Sequence, residues 1–503
     1  MSASGALAAG SRTAGRAATH RVSLAIMLVV GLLLVQALAD SAVAVLAGAD
    51  GDDAWASVDR AARWSELAAA ALYVLLAALT AGKVVLDRQW RHFATGADLA
   101  LLALGFTMAL AGVANDSSAA LTGQALLAYL RAVLVFYALR AADPGPVAVR
   151  RLLTVVGVVV AANVAVALGE AAAGFAVDDA AGVGSVDQGA VRALLADSVE
   201  LGNVLGLALV GCLAWAAGGR TVGRMWWAAV ALVALALSAT ESSGSVVGVL
   251  LAAVVVAVTA RRGAARVLGV VLLLVLCVGA QVALNPDRHA SWEARLGIGV
   301  SRVDGAAIAA PTDFPRVADV LARQPLLGCG PGQLTSIGAG EGGSQCTANQ
   351  PFEQKGFSHS FWFRLLIETG VLGFAAFVAW LFLVIRPLRN PARRRPRRES
   401  PGPPHFIAIW GIAAVVFAAV VAVLSPSVES PMLSVLLWTV VGIAWWVRRR
   451  SQEAERSLFA ADTAFIPKVR DPADVHAVDT RILGTDEILS LARQARRRTD
   501  RGN

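Results

Sequence analysis

Apolar runs long enough to cross a lipid bilayer recur almost from end to end of the 503-residue chain. No water reaches the hydrocarbon core, so every backbone N–H and C=O there must be satisfied within the chain. Runs of this length therefore fold as helices. With 57% hydrophobic and 16% charged residues, the chain reads as an all-α polytopic membrane protein and not as a soluble globule. The runs lie near 22–47, 65–82, 97–114, 118–139, 152–174, 194–217, 225–240, 244–260, 267–284, 360–385, 405–424 and 431–447, which predicts about twelve transmembrane helices. Only ESSG parts the seventh from the eighth. The first run exceeds a signal-peptide core and reads as a retained helix.

The loops between these runs alternate in charge. One set holds Arg12, Arg16 and Arg21; Lys83, Arg88 and Arg91; Arg140, Arg150 and Arg151; Arg220 and Arg224; Arg261, Arg262 and Arg266; RPLRNPARRRPRR; and Arg448 to Arg450. The other set, GADGDDA, AND, AVDDAAGVGSVDQ, ESSG and SPSVES, is acidic or neutral. Basic short loops mark the cytoplasmic side, so both termini are expected in the cytoplasm of a plasma (inner) membrane protein. The same asymmetry accounts for the formal charge of +8 without nucleic acid as a partner.

The expected organisation is a cytoplasmic N-terminus (1–21), helices 1–9 (22–284), one large external loop (285–358), helices 10–12 (359–447) and a cytoplasmic tail (448–503). The external loop is too apolar for a disordered spacer. Its segment DFPRVADVLARQPLLG has helical spacing at Val317, Val320 and Leu321 before a Pro-Gly stop. The tail ends in TDEILSLARQARRR, a basic amphipathic helix suited to anionic lipid, or else a solvated tail. No internal repeat is visible, which weighs against an inverted-repeat transporter. Of four cysteines, Cys212 and Cys277 lie within apolar runs. Cys329 and Cys346 share the external loop, an oxidising compartment, and are expected to form a disulfide.

Ionisable groups gather where the loop enters the tenth helix. His359 lies at that boundary, and Arg364 and Glu368 follow one turn apart on one helix face, where they can pair. Charges in a membrane are costly and face a polar cavity, so one is expected beside this helix. Glu200, Asn203 and Glu241 to Ser243 lie at other outer helix ends and could line it. Arg131, nine residues before Arg140, falls near mid-membrane and needs a buried partner or a ligand. No carboxylate-rich cluster suggests a metal, and no cofactor is expected.

The stretch GFSHSFWFRLLIETGVLG resembles the signature of the O-antigen ligase and O-antigen polymerase family. In that signature a His and a small polar residue are followed by nine residues, Gly, two residues and Gly. Here these positions are His359, Ser360, Gly370 and Gly373. PLLGCGPGQL, with Gly328 and Gly330, resembles the family's Gly segment in the same loop, and GNVLGLALVG, with Asn203, its Asn-bearing helix start. The resemblance covers roughly 190–385. It implies a metal-independent glycosyltransferase of the C-type membrane architecture. Such an enzyme passes a glycan from a polyprenyl diphosphate to an acceptor hydroxyl outside the membrane.

In that reading His359 is the general base, a role suited to a neutral imidazole near neutral pH. Arginines hold the diphosphate. Arg316 looks most like the family's loop arginine, with Arg302 and Arg323 as alternatives. Arg364, Arg131, Asn203 and Glu241 are further substrate-binding candidates, and Glu368 with the four glycines is structural. One departure stands out: TESSGSVVG places Ser243 where the family often has Arg, so another group holds the diphosphate or the activity is altered. The rival readings are a flippase or transporter of a lipid-linked glycan, and an inactive family member.

Overall fold

The computed structural model describes residues 19–39, 51–173, 191–195, 197–218, 222–260, 263–284, 321–333, 360–389, 406–425 and 429–464. All regular elements among them are helical: α1 (Thr19–Ala39), α2 (Gly51–Leu86), α3 (Gly96–Ala114), α4 (Ala119–Leu130), α5 (Val133–Ala142), α6 (Pro146–Ala173), α7 (Ser198–Ala217), α8 (Arg224–Ala239), α9 (Ser243–Ala260), α10 (Ala264–Leu284), α11 (Phe361–Ile385), α12 (Phe406–Leu424) and α13 (Pro431–Ala464), with short 3-10 turns at Gln89–Phe93 and Arg386–Leu388. Each of the twelve apolar runs overlaps a described helix, the fourth of them two (α4 and α5). Nine described helices are long and apolar enough to cross a membrane, and the bent pair α4–α5 is a tenth if it counts as one span. The apolar helices α8 and α9 are shorter.

The chain divides into two units, Met1–Ser451 and Gln452–Asn503. Of the second, only the end of α13 is described. Most of the long loop and the basic tail segment lie outside the described residues.

Burial separates central from peripheral helices. The apolar windows of α7, α12 and α13 are 72%, 72% and 83% buried, whereas those of α2 and α10 are 22% and 17% buried and leave their Leu and Val side chains for lipid. Small residues let the central helices approach closely. The Phe417 ring of α12 fills the space over Gly206 of α7 and Gly248 of α9, where an added Cβ would lie 2.7 Å and 2.9 Å from it. Trp410 covers Gly211 in the same way and donates its indole N–H to Leu207 O at 3.2 Å.

Side-chain contacts collect the helix ends into two sets that match the charge alternation. On the basic side, Arg140 at the end of α5 makes a two-oxygen ion pair with Asp98 of α3, at 2.7 and 3.2 Å. It also donates to His92 O and lies over the rings of Phe93, Tyr137 and Trp445. Lys83 bonds Asp87 and Thr19 O, and Ser23 donates to Ala142 O.

Three elements depart from the expected outline. The acidic GDDA stretch is the start of α2 and not a loop, since acidic residues suit a helix N-terminus and no breaker interrupts 52–81. The fourth span bends by 55° at Arg131–Ala132, where Leu134 and Val135 N–H donate three residues back, a 3-10 turn inside an apolar helix. The tenth span breaks at Gly370, which adopts φ 63°, ψ −169°.

Candidate active site

The break in α11 is built from glycine. At Gly370 the helix leaves unpaired carbonyls before it and unpaired N–H groups after it. The loop segment 325–330 supplies partners for both. Cys329 and Gly330 N–H donate to Ile367 O and Glu368 O at 3.0 and 3.1 Å. Val371 and Leu372 N–H donate to Pro325 O and Leu326 O at 3.0 and 3.3 Å. Two backbones meet here without side chains between them: a Cβ on Gly328 would strike Ile367 O and Gly370 N, and one on Gly370 would strike Leu326 and Gly328. Both have φ near +64°, which favours glycine. Gly330, at φ 102°, faces Ser117, and Gly373 packs against Thr369. Gly328 and Gly370 thus form one joint between the loop before α11 and the broken helix, with Gly330 beside it, while Gly373 packs within α11. Asn115 at the end of α3 clasps the joint by donating to Gly328 O at 3.0 Å, and Gln333 reaches Ser117 at 3.3 Å.

The charged residues sit beneath this joint. Glu368 is fully buried, and its Oε2 accepts from Tyr129 Oη of α4 and from Gly332 N–H, both at 3.0 Å. Arg364, 4% exposed, forms its ion pair with Glu429 at 2.6 Å. Among the described residues Arg364 pairs with Glu429 and Glu368 accepts from Tyr129 and Gly332, two separate partnerships beside the expected Arg364–Glu368 pair. The order Arg then Glu along a helix is the weaker orientation for such a pair, and a carboxylate from the loop before α13 meets the guanidinium head-on. Burial pushes the Glu429 carboxyl above its ordinary range, while Arg364 and Arg131 pull it back. Arg131 lies at the α4–α5 bend, two residues from Tyr129. Ser360, buried, donates to Ala422 O of α12, and Trp362 to Ala419 O at 2.8 Å, so the start of α11 is fixed against α12.

A second polar cluster lies across the end of α12. Asn203 of α7 accepts from Ser245 at 2.6 Å, and Ser245 meets Ser242 at 2.7 Å. Glu241 is buried in the α8–α9 turn with φ 54°, and Gly244 of α9 touches Leu424 of α12. Asn203 Nδ2 is buried without a hydrogen-bond partner among the described residues. Glu170 of α6 accepts from the N–H groups of Arg192 and Ala193 nearby in sequence to α7.

His359, Arg302, Arg316 and Cys346 lie outside the described residues. Arg323 is described and exposed. Cys329 is disulfide-bonded, and Cys212 and Cys277 are free thiols. Among the described residues no group of three His, Cys, Asp or Glu side chains gathers as a metal site would need. Sequence reasoning missed Tyr129 and Glu429. Tyr129 carried a signal, a phenol two residues from an intramembrane arginine, and Glu429 was visible only as part of an acidic loop.

A bundle of apolar helices with α11 broken at Gly370, a loop segment docked into the break and a buried ionisable cluster below it defines a polytopic membrane protein with a polar site set into the bundle. Residues 204–378, from α7 into α11, match the sequence model of the O-antigen ligase family. The matched stretch is 175 of the 503 residues, and over it the chain is similar to that family. No curated protein matches the chain.

Proposed function

We propose that the protein moves a glycan from a polyprenyl diphosphate to an acceptor hydroxyl at the external face, as a ligase or a polymerase. The observation that carries this reading is the glycine joint inside the matched region. The start of α11 is fixed against α12, and the residue just before Ser360 is His359. In the reaction His359 takes the acceptor O–H proton as the oxygen attacks the anomeric carbon. The carbon–oxygen bond to the diphosphate breaks, and its electron pair leaves on the phosphate oxygen. Guanidinium groups stabilise that charge. Arg316, with Arg302 and Arg323 as alternatives, supplies the contact from the loop. Arg364 pairs with Glu429 and helps to hold the site together.

Purified protein and a polyprenyl-diphosphate glycan test the reading. Replacing His359 with Ala should lower transfer by about 10²- to 10⁴-fold, the usual worth of a positioned base, while donor binding persists. Near-normal transfer by that variant would remove the histidine from the chemistry. Relocation of the donor across the bilayer without transfer would mark a flippase instead.

A further inference from the structure

Arg131 is the charge at the bend between the apolar helices α4 and α5, beside the cluster under the glycine joint. Among the described residues its guanidinium makes no hydrogen bond and no ion pair. A guanidinium has five donors and keeps its proton, so it cannot escape its cost by turning neutral. Two further polar atoms lie within its electrostatic reach. Tyr73 Oη of α2 is sealed from solvent and has no hydrogen-bond partner among the described residues. Glu429 Oε1 is likewise buried without one, its other oxygen being held by Arg364. Tyr129, two residues before Arg131, is tied to Glu368, which places the bend beside the cluster under the glycine joint.

We propose that Arg131 and Tyr73, with Glu429 beside them, form an anion site within the bundle that takes the diphosphate of the lipid-linked donor. The proposal rests on the reading of the protein as a glycosyltransferase using that donor. A diphosphate offers several acceptor oxygens to the guanidinium fork and to the phenol O–H. A protonated Glu429 would add a third donor. The site also answers the departure at Ser243: a guanidinium absent from the start of α9 is supplied from the bend of α4. A phospholipid headgroup shares the phosphate chemistry, so the test must separate the two sources.

The experiment measures binding of undecaprenyl diphosphate to the full-length protein in nanodiscs, with undecaprenyl phosphate and phosphatidylglycerol as competitors. The wild type should prefer the diphosphate. Arg131→Gln should weaken it about ten- to a hundredfold, the worth of charge-assisted hydrogen bonds. Arg131→Lys should retain part of the affinity, and Tyr73→Phe should lose a fewfold. If Arg131→Gln does not accumulate, unchanged affinity in both Arg131→Lys and Tyr73→Phe overturns the site. Wild-type affinity in Arg131→Gln, with loss in Arg316→Ala, overturns the site and leaves the glycosyltransferase reading standing. Equal displacement by phosphatidylglycerol makes Arg131 a headgroup anchor and overturns the proposal. No binding of the diphosphate by the wild type sinks the donor reading as well.

Discussion

Glu368 shows how a carboxylate survives at zero exposure: among the described residues it accepts from a side chain, Tyr129, and from a backbone N–H, that of Gly332. Replacing it with Ala strands both donors in the interior, which should destabilise the protein by about 2–5 kcal/mol. Tyr129→Phe removes one of them and should cost about 1 kcal/mol. Thermal unfolding in detergent checks the order, and equal losses in the two variants would contradict it. Glu429 makes a different prediction. Burial raises its folded-state carboxyl, so the folded protein holds that proton more tightly than the unfolded chain does. That contribution is complete below the ordinary carboxylate range and is lost as pH climbs through the raised value. Glu429→Gln keeps the neutral form throughout and retains an oxygen for Arg364. Its melting temperature relative to the wild type should therefore rise as pH climbs from the ordinary carboxylate range through the raised value. Parallel curves would mean that Arg364 compensates the burial fully.

The broken α11 is the element whose geometry the site depends on. Its hydrogen bonds to segment 325–330 leave no room for a methyl group at Gly328 or Gly370. Alanine at either should cost more than about 3 kcal/mol, through a steric clash and a positive φ together, and should cut yield sharply. Gly105 of α3 is the control: nothing lies within 4 Å of its added Cβ, so Ala there should be neutral or slightly stabilising. Should Gly370→Ala behave like Gly105→Ala, the joint is not rigid. The same segment carries Cys329. We expect its disulfide partner to be Cys346, sixteen residues further on by count of those between. Closure of a loop of that size contributes about 3 kcal/mol in the chain-entropy model. Peptide mapping of unreduced protein should find the two in one cross-linked fragment; separate fragments would refute the pairing.

At the scale of the whole molecule, the two sets of helix ends should face opposite sides of the membrane, with the basic set in the cytoplasm. Asp116 in the α3–α4 turn and Arg389 after α11 are both exposed and belong to opposite sets. In a background without free thiols, Asp116→Cys should react with a membrane-impermeant reagent from outside, and Arg389→Cys only from the cytoplasmic side. Labelling of Arg389→Cys from outside would invert the topology and move the proposed chemistry to the other face.

The helices and their charge bias were legible in the sequence because both are sums over neighbours in the chain. A run of eighteen apolar residues and a cluster of loop arginines need no partner to be recognised. The glycine spacing around Gly370 and Gly328 was legible as well, as a pattern without a visible cause. Tertiary structure decided the cause, the contact of two backbones 42 residues apart in sequence. It also decided the partners of the buried charges. The local rule paired Arg364 with Glu368, one turn away. Folding brought Glu429 to Arg364 from 65 residues along the chain, and Tyr129 to Glu368 from 239 residues before it. In a low-dielectric interior a charge goes to the partner that three-dimensional packing presents in the right direction, and separation along the chain has no bearing on that choice.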